Sequence, residues 1–378
     1  MNNKYTIGID IGPEVTMVSR SPGYGSEKVS QILLKHKQYT LGREIRTGIC
    51  KIDNEWSLCT DSINCVRVTK DCWLDDTQTR EKEIFIVFIQ LLFQAIIESD
   101  PVLIYDESIG IKNFDLIVAV PGYWENFMHN ACIEYREFLK TECRLPVDCS
   151  PNEAEARFRI SNSLKFNDMQ DRIFVIDLNI DTIEFTCLPC WSNNYNLCWS
   201  LNLGSQHIID AVMSKILKTE TNAQNLQRVI DYRKTLKDNA NIVALLSLFL
   251  KEQIKRYFLE GHENFAFRVT YQELTPCWAG PIWEPCIKYE VSKEEFKEVL
   301  FGYMQQIKDA IHNAKIRLFK SEWKPHYVFI TGTWGVTFSN SEITSYIEES
   351  FGVKVYFDSC PDISISNGLA LTKIIRVH

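Results

Sequence analysis

The chain has 378 residues, too long for one compact core, so two domains are expected. With 45% hydrophobic and 24% charged residues it has the make-up of a globular protein. Its net charge of −8 argues against a general affinity for nucleic acid or for an anionic membrane. No apolar run reaches the roughly 18 residues that a membrane span needs. Met1-Asn2-Asn3-Lys4 leads directly into a strand pattern, without the basic and apolar regions of a secretory leader, so a cytoplasmic location is expected. Thirteen cysteines then read as reduced thiols acting mostly as small buried hydrophobes. Cys187 and Cys190 have a zinc-like spacing, which Cys277 and Cys286 could complete, but one CxxC is a weak signal.

In chain order, residues 4–11, 14–20 and about 29–41 read as a strand meander, with a Pro22-Gly23 turn before the last. Residues 47–76 are cysteine-rich and show no clear period. The spacing of Phe85, Phe88, Ile89, Leu92 and Ile96 predicts a helix over 79–99 with one apolar face. A buried strand over 115–121 ends at Pro121, followed by a helix (125–141), a short strand (145–149) and a helix (152–164). At Arg172 the pattern restarts: strands 172–178, 182–188 and 196–202, then helices 206–218, 223–236 and 241–260. Residues 265–291 read as a strand-and-loop region whose Pro276, Pro281 and Pro285 suggest an irregular surface insertion rather than sheet core. Ser292-x-x-Glu295 is a capping box that opens a long helix. Strand 326–331, helix 340–350, strand 353–357 and helix 362–375 complete the chain. A meander–helix–strand–helix unit therefore occurs twice, and an α/β fold is predicted.

Three segments carry the chemistry. Strand 5–11 ends at Asp10 and Gly12, strand 172–178 ends at Asp177 with Thr182 beyond its turn, and strand 326–331 ends at Gly332-Thr333-Trp334. Two aspartates on equivalent hairpins suit phosphoryl chemistry, where carboxylates hold hydrated magnesium and orient water. Taken singly, each is equally a turn cap, which Asp favours. Glu252, Lys255 and Arg256 share one helix face, which by spacing alone reads as a solvated charged surface. Gly332 has no Cβ and permits close backbone approach. Trp334 either stacks on a base or fills its slot.

These residues resemble the actin, sugar-kinase and heat-shock-chaperone superfamily over nearly the whole chain, and the DnaK-type ATPase domain most of all. Gly8-Ile9-Asp10-Ile11-Gly12 looks like its first phosphate loop, and Asp177 to Glu184 like its second. Val120-Pro121-Gly122 is similar to the strand end with its switch proline. Asn152-Glu153-Ala154 is similar to the helix start whose glutamate touches metal-bound water. Leu203-Gly204-Ser205 resembles its phosphate-side glycine pair. Pro361-Asp362 and Asn367-Gly368-Leu369-Ala370 resemble its second connecting helix, and Arg46 stands near the position of its catalytic lysine. The resemblance implies a two-lobed actin-like fold of duplicated ribonuclease H-like domains with a nucleotide cleft. Lobe I would be 1–171, lobe II 172–361, and 362–378 a connecting helix returning to lobe I. It implies ATP or ADP gripped at its nucleoside by Glu252, Lys255 and Arg256, with magnesium held through water by Asp10 and Asp177, and a protein partner.

The departures point to altered chemistry. Pro13 and Glu14 replace small hydroxyl residues, which removes an amide donor and adds negative charge. Asn179, Ile180 and Asp181 replace three glycines. A β-branched Ile resists the positive φ that glycine turns permit. Thr333 and Trp334 replace a glycine and a small residue, and Val336 an arginine. The chain ends at His378, directly after the last helix, so no peptide-binding domain is expected. A nucleotide-dependent switch with slow or absent hydrolysis is the leading expectation. A pseudo-ATPase scaffold comes next, and a small-molecule kinase or an actin-like filament protein ranks below both.

Overall fold

The computed structural model describes the chain apart from residues 1–4, 13–14, 23–27, 37–38, 53, 60–64, 69, 75–76, 122–123, 125–130, 152, 154–155, 157–171, 181, 189–197, 237–240, 276–284, 333, 336–341, 359–360 and 372–378. It is a mixed α/β protein of helices and several small sheets. Its contacts group Met1–Asp171, Thr186–Trp199 and Asp358–His378 into one compact unit, and Arg172–Phe185 with Ser200–Phe357 into another.

The first strands are β1 (Tyr5–Ile11), β2 (Val15–Ser21), β3 (Ser30–Gln31), β4 (Leu34–His36), β5 (Tyr39–Gly42), β6 (Glu44–Arg46), β7 (Gly48–Ile52), β8 (Glu55–Leu58) and β9 (Val66–Arg67). A 3-10 turn, Lys70–Leu74, leads into α1 (Thr79–Ser99). The hairpin β10 (Tyr105–Asp106) and β11 (Ile111–Lys112), then β12 (Phe114–Val118) and α2 (Ala131–Thr141), follow. β1 lies antiparallel to β2 and parallel to β12, in the order β12-β1-β2-β3, with β6 also on β2. Ile7, Ile9 and Ile11 recur at every second residue and enter the main core with Phe85, Phe88, Ile89, Leu92 and Ile96 of α1. Helix α1 thus has the bounds and the buried face that its periodicity predicts.

Further elements are β13 (Ile173–Leu178), β14 (Ile183–Leu188), β15 (Cys198–Leu201), α3 (Gln206–Lys218), α4 (Glu220–Thr235) and α5 (Ile242–Glu260). They continue with β16 (Asn264–Thr270), α6 (Tyr271–Leu274), β17 (Pro285–Ser292), α7 (Lys293–Lys320), β18 (Tyr327–Thr331), α8 (Glu342–Phe351), β19 (Val355–Phe357) and α9 (Pro361–Ala370). The second large sheet runs β15-β14-β13-β18-β19, with β13 parallel to β18 and β18 parallel to β19. Every residue of β13 and β14 is buried, as in a sheet covered on both faces. Helix α9 packs on the first sheet, where Ser19 Oγ donates to Asn367 Oδ1 at 2.6 Å.

Several expectations are corrected. Residues 265–291 are not wholly irregular. β16 and β17 pair antiparallel, and the alternation of Phe265, Phe267 and Val269 with exposed residues buries one face. Phe265 stacks on Phe296 of α7 with ring centroids 4.3 Å apart. Residues 145–149 make no strand beyond one bridge from Cys149 to Ile117, although Leu145 and Val147 are buried. The segment 29–41 breaks into short pieces, because β4 turns back to pair with β5. The aperiodic stretch after residue 47 holds the sheet β8-β7-β9. There Cys59 and Cys65 form a disulfide, against the reading of uniformly reduced thiols. The other described cysteines are buried or half-buried. Ser292 caps α7 as predicted, with a reciprocal box to Glu295. No described helix is long and apolar enough to cross a membrane.

Candidate functional site

In the first unit the site begins where β1 runs out. Asp10 is two residues beyond Gly8 and so shares its face of the sheet. It is buried, at 8% exposure. The Gly12 N–H donates to the Val15 carbonyl at 3.0 Å and closes the turn into β2. Pro13 and Glu14 lie outside the described residues. Beyond β12, the Val120 N–H donates to the Pro151 carbonyl at 2.9 Å, and the Glu153 N–H to the Val120 carbonyl at 3.0 Å. These bonds fix Glu153 at the end of β12, with 5% exposure. Asn152 and Ala154 lie outside the described residues.

The cation that meets Glu153 is Lys70. Its Nζ donates to Glu153 Oε1 as a largely buried ion pair, the side chains being 13% and 7% exposed. Burial alone would pull the Lys70 pKa down. The carboxylates of Glu153, Asp10 and Asp71 and the hydrogen bond to Glu153 outweigh that, and the net shift is upward. Lys70 is anchored by its own 3-10 turn. The Asp71 carboxylate accepts from Trp124 Nε1 at 2.8 Å, and Trp73 packs 5.2 Å from both Trp124 and Tyr135. Arg46, the cation proposed from sequence, is instead a β6 residue in register with Val15 and half-buried. Sequence reasoning missed Lys70 because it stands in the aperiodic stretch. The available signal was slight: a polar pair, Lys70-Asp71, just ahead of apolar Cys72-Trp73-Leu74.

In the second unit Asp177 is 3% exposed and in register with Thr331 of β18. The turn after it is closed by backbone bonds. The Asn179 N–H donates to the Thr182 carbonyl at 2.9 Å, Ser205 N–H to the Asn179 carbonyl at 3.0 Å, and Gln206 N–H to the Ile180 carbonyl at 2.8 Å. Ile180 is buried, and neither it, Asn179 nor Thr182 has a positive φ. The anticipated conflict between a β-branched residue and a glycine-type turn is therefore avoided by a different turn. Asp181 lies outside the described residues, and Thr182 Oγ1 reaches Glu184 Oε1 at 3.4 Å.

Helix α3 starts at this turn. Gly204 and Ser205 are buried, and the His207 and Ile208 amides bond back to the carbonyls of Gly204 and Ser205. The Gln206, His207 and Ile208 amides, which an open helix start would offer to an anion, are thus taken by the chain itself. Ser205 Oγ, wholly buried, has no hydrogen-bond partner among the described residues. Gly332 has φ +94°, and a Cβ there would fall on the Leu178 carbonyl and Asp177 Oδ1. Its lack of a side chain is already required by this approach to β13. Trp334 donates its backbone N–H to the Leu178 carbonyl at 3.2 Å and is fully buried, which is the packing role. Thr333 and Val336 lie outside the described residues.

On α5, Glu252 and Arg256 are exposed and Lys255 half-buried. Among the described residues none of the three is in an ion pair with another. Asp362 falls within α9 by its backbone. Cys190 and Cys277 lie outside the described residues, and no three or more described His, Cys, Asp or Glu side chains are grouped to hold a metal ion.

In the first unit the Lys70 ammonium pairs with Glu153 in the field of Asp10 and Asp71, and the second unit closes the strand end after its aspartate with a self-bonded turn. No family model and no curated protein matches the chain.

Proposed function

We propose that the chain is a two-lobed, actin-like protein of the DnaK type that binds ATP or ADP, hydrolyses ATP slowly or not at all, and works as a nucleotide-dependent switch toward a protein partner. The observation that carries this is the group formed by Asp10, Lys70 and Glu153 at the ends of β1 and β12. An ammonium held between carboxylates is suited to a phosphoryl oxygen, and Glu153 keeps it charged and oriented. Asp10 would accept a hydrogen bond from the attacking water. The nucleoside would lie on the exposed Glu252, Lys255 and Arg256 face of α5. Magnesium, when bound, would offset phosphate charge. Asp10 would hold it through water.

Slow or absent turnover is favoured by the closed turn at Asn179 and by the internally bonded start of α3, which leave fewer amides for phosphate. The same observation favours a second reading, a scaffold that no longer binds nucleotide. Titration calorimetry with ATP and magnesium separates the two. A ligand present at about 100 times its dissociation constant raises stability by about 2.7 kcal/mol. Binding heat with a matching thermal shift, both lost in Lys70→Ala, is the expected result. Neither heat nor shift at millimolar ATP would leave the scaffold. Turnover that survives Asp10→Ala would overturn the assigned chemistry.

A further inference from the structure

Shortly upstream of Lys70 a disulfide spans β7, over a position that has no side chain. Cys59 follows β8 and Cys65 precedes β9, and these strands pair with opposite edges of β7. The Cys59–Cys65 bond, with Cα atoms 5.7 Å apart, joins the two edges across the start of the central strand. Gly48 lies under the bridge. A Cβ there would fall on Cys65 Sγ and the Val66 carbonyl, so only glycine leaves room for it. The Cys59 N–H donates to the Gly48 carbonyl at 3.2 Å and completes the seat.

The bridge is coupled to the first-unit site by a short run of contacts. Gly48 and Ile49 are in register with Arg67 and Val66. Next along the chain, the Val68 N–H donates to the Thr47 carbonyl at 3.0 Å, with Val68 and Thr47 both buried. Thr47 Oγ1 is 2.9 Å from Thr16 Oγ1, and Thr16 pairs with Ile11 in the hairpin that carries Asp10. Lys70 follows Val68 by two residues. Strand β9 is only Val66–Arg67, with both side chains exposed, so it has little apolar burial of its own. A strand that short is held by its tether.

We propose that Cys59 and Cys65 form a thiol–disulfide exchange site whose oxidation state sets the placement of Lys70. Cys65 is half-buried and Cys59 is 3% exposed, which makes the Cys65 sulfur the point of attack. A small-molecule thiolate of the glutathione type attacks Cys65 Sγ. The S–S bond breaks, Cys59 leaves as thiolate and takes a proton, and Cys65 carries the mixed disulfide. A second thiolate attacks the small-molecule sulfur, releasing Cys65 as a thiolate that is protonated and the reductant as its own disulfide. Two thiols are oxidised for the one protein disulfide reduced. In the reduced form β9 loses its tether and Lys70 its fixed approach to Glu153. A switch of this kind suits a reducing compartment, where the disulfides that do form are commonly redox-sensing.

The test is hydrogen exchange by mass spectrometry on the full chain, equilibrated with oxidised or reduced glutathione, beside the Cys59→Ser/Cys65→Ser variant. The expected result is a Cys59–Cys65 linkage in the oxidised protein. Exchange over residues 66–74 should then rise about tenfold on reduction, and equally in the variant, with β13 and α7 unchanged. Free thiols at both positions under oxidised glutathione would overturn the proposal. So would unchanged exchange over 66–74, or a rise shared by the whole chain. The link to nucleotide rests on the proposed function, and ATP titration of both forms keeps the two apart. Weaker ATP binding on reduction supports the switch. No ATP binding by either form, with exchange still responding, sinks the nucleotide function and leaves the redox site standing.

Discussion

The hairpins β1–β2 and β13–β14 start from the same local pattern and are put to different use. Each follows a buried strand that ends in an aspartate, lies beside a parallel strand, and has an N–H to C=O bond closing its turn. Around Asp10 the surrounding segments bring charge: Lys70 from the 3-10 turn and Glu153 from beyond β12. Around Asp177 they bring backbone: Ser205 and Gln206 amides on the turn, and Gly332 against the strand end. A strand–aspartate–turn motif therefore fixes where a carboxylate stands but not its chemical setting. That is decided by segments distant in sequence.

The sharpest way to break the comparison is Lys70→Met. It leaves Glu153 buried without its cation, and urea denaturation should show a loss of about 3–5 kcal/mol. Lys70→Met with Glu153→Gln should recover much of it, because no uncompensated charge remains. Full additivity of the two would mean the pair is not the unit described.

On the other side, Gly332→Ala places a Cβ against Leu178 and Asp177 at a positive φ. The backbone conformation alone costs about 1–3 kcal/mol. The loss should appear in the same denaturation assay whether or not ATP is present. A loss seen only with ATP would show that the glycine serves a ligand rather than β13.

Alkaline titration sharpens the contrast further. The folded-state pKa of Lys70 is raised, so its stabilisation is fully present below the unfolded value near 10.4 and fades as pH climbs through the folded one. Wild type should lose about 1.4 kcal/mol for each unit separating the two values, and Lys70→Met should lack this contribution. Equal alkaline limbs in the two proteins would remove Lys70 as their cause.

The smallest effect belongs to Ser205→Ala. Removing a buried hydroxyl without a partner should stabilise the fold by about 1 kcal/mol, read as a higher urea midpoint at constant slope. A loss of stability instead would show that the hydroxyl has a partner in solution.

Much of the element order was legible in the sequence. Five apolar residues at three- and four-residue steps defined α1, and the Ser292 box marked the start of α7. Periodicity and capping depend on near neighbours alone, so one chain suffices to read them. The positions of Asp10 and Asp177 were legible for the same reason, since each stands near the end of a buried run, whereas Glu153 was reached through the family resemblance. The β16–β17 ribbon was harder to see because its prolines lie at or near the boundary of an alternation that is otherwise regular.

What the sequence by itself determined is the buried strands that carry Asp10 and Asp177, those carboxylates and the glycines at Gly12 and Gly332. The tertiary structure alone decided which cation stands beside Glu153, and it chose Lys70 over Arg46. It also decided that Ile180 turns without a positive φ and that Cys59 bonds Cys65. The physical reason is range. Strand ends and caps are set within a few residues, whereas an ion pair spanning 83 residues, or a bridge across a central strand, exists only once burial has ordered the elements that carry it.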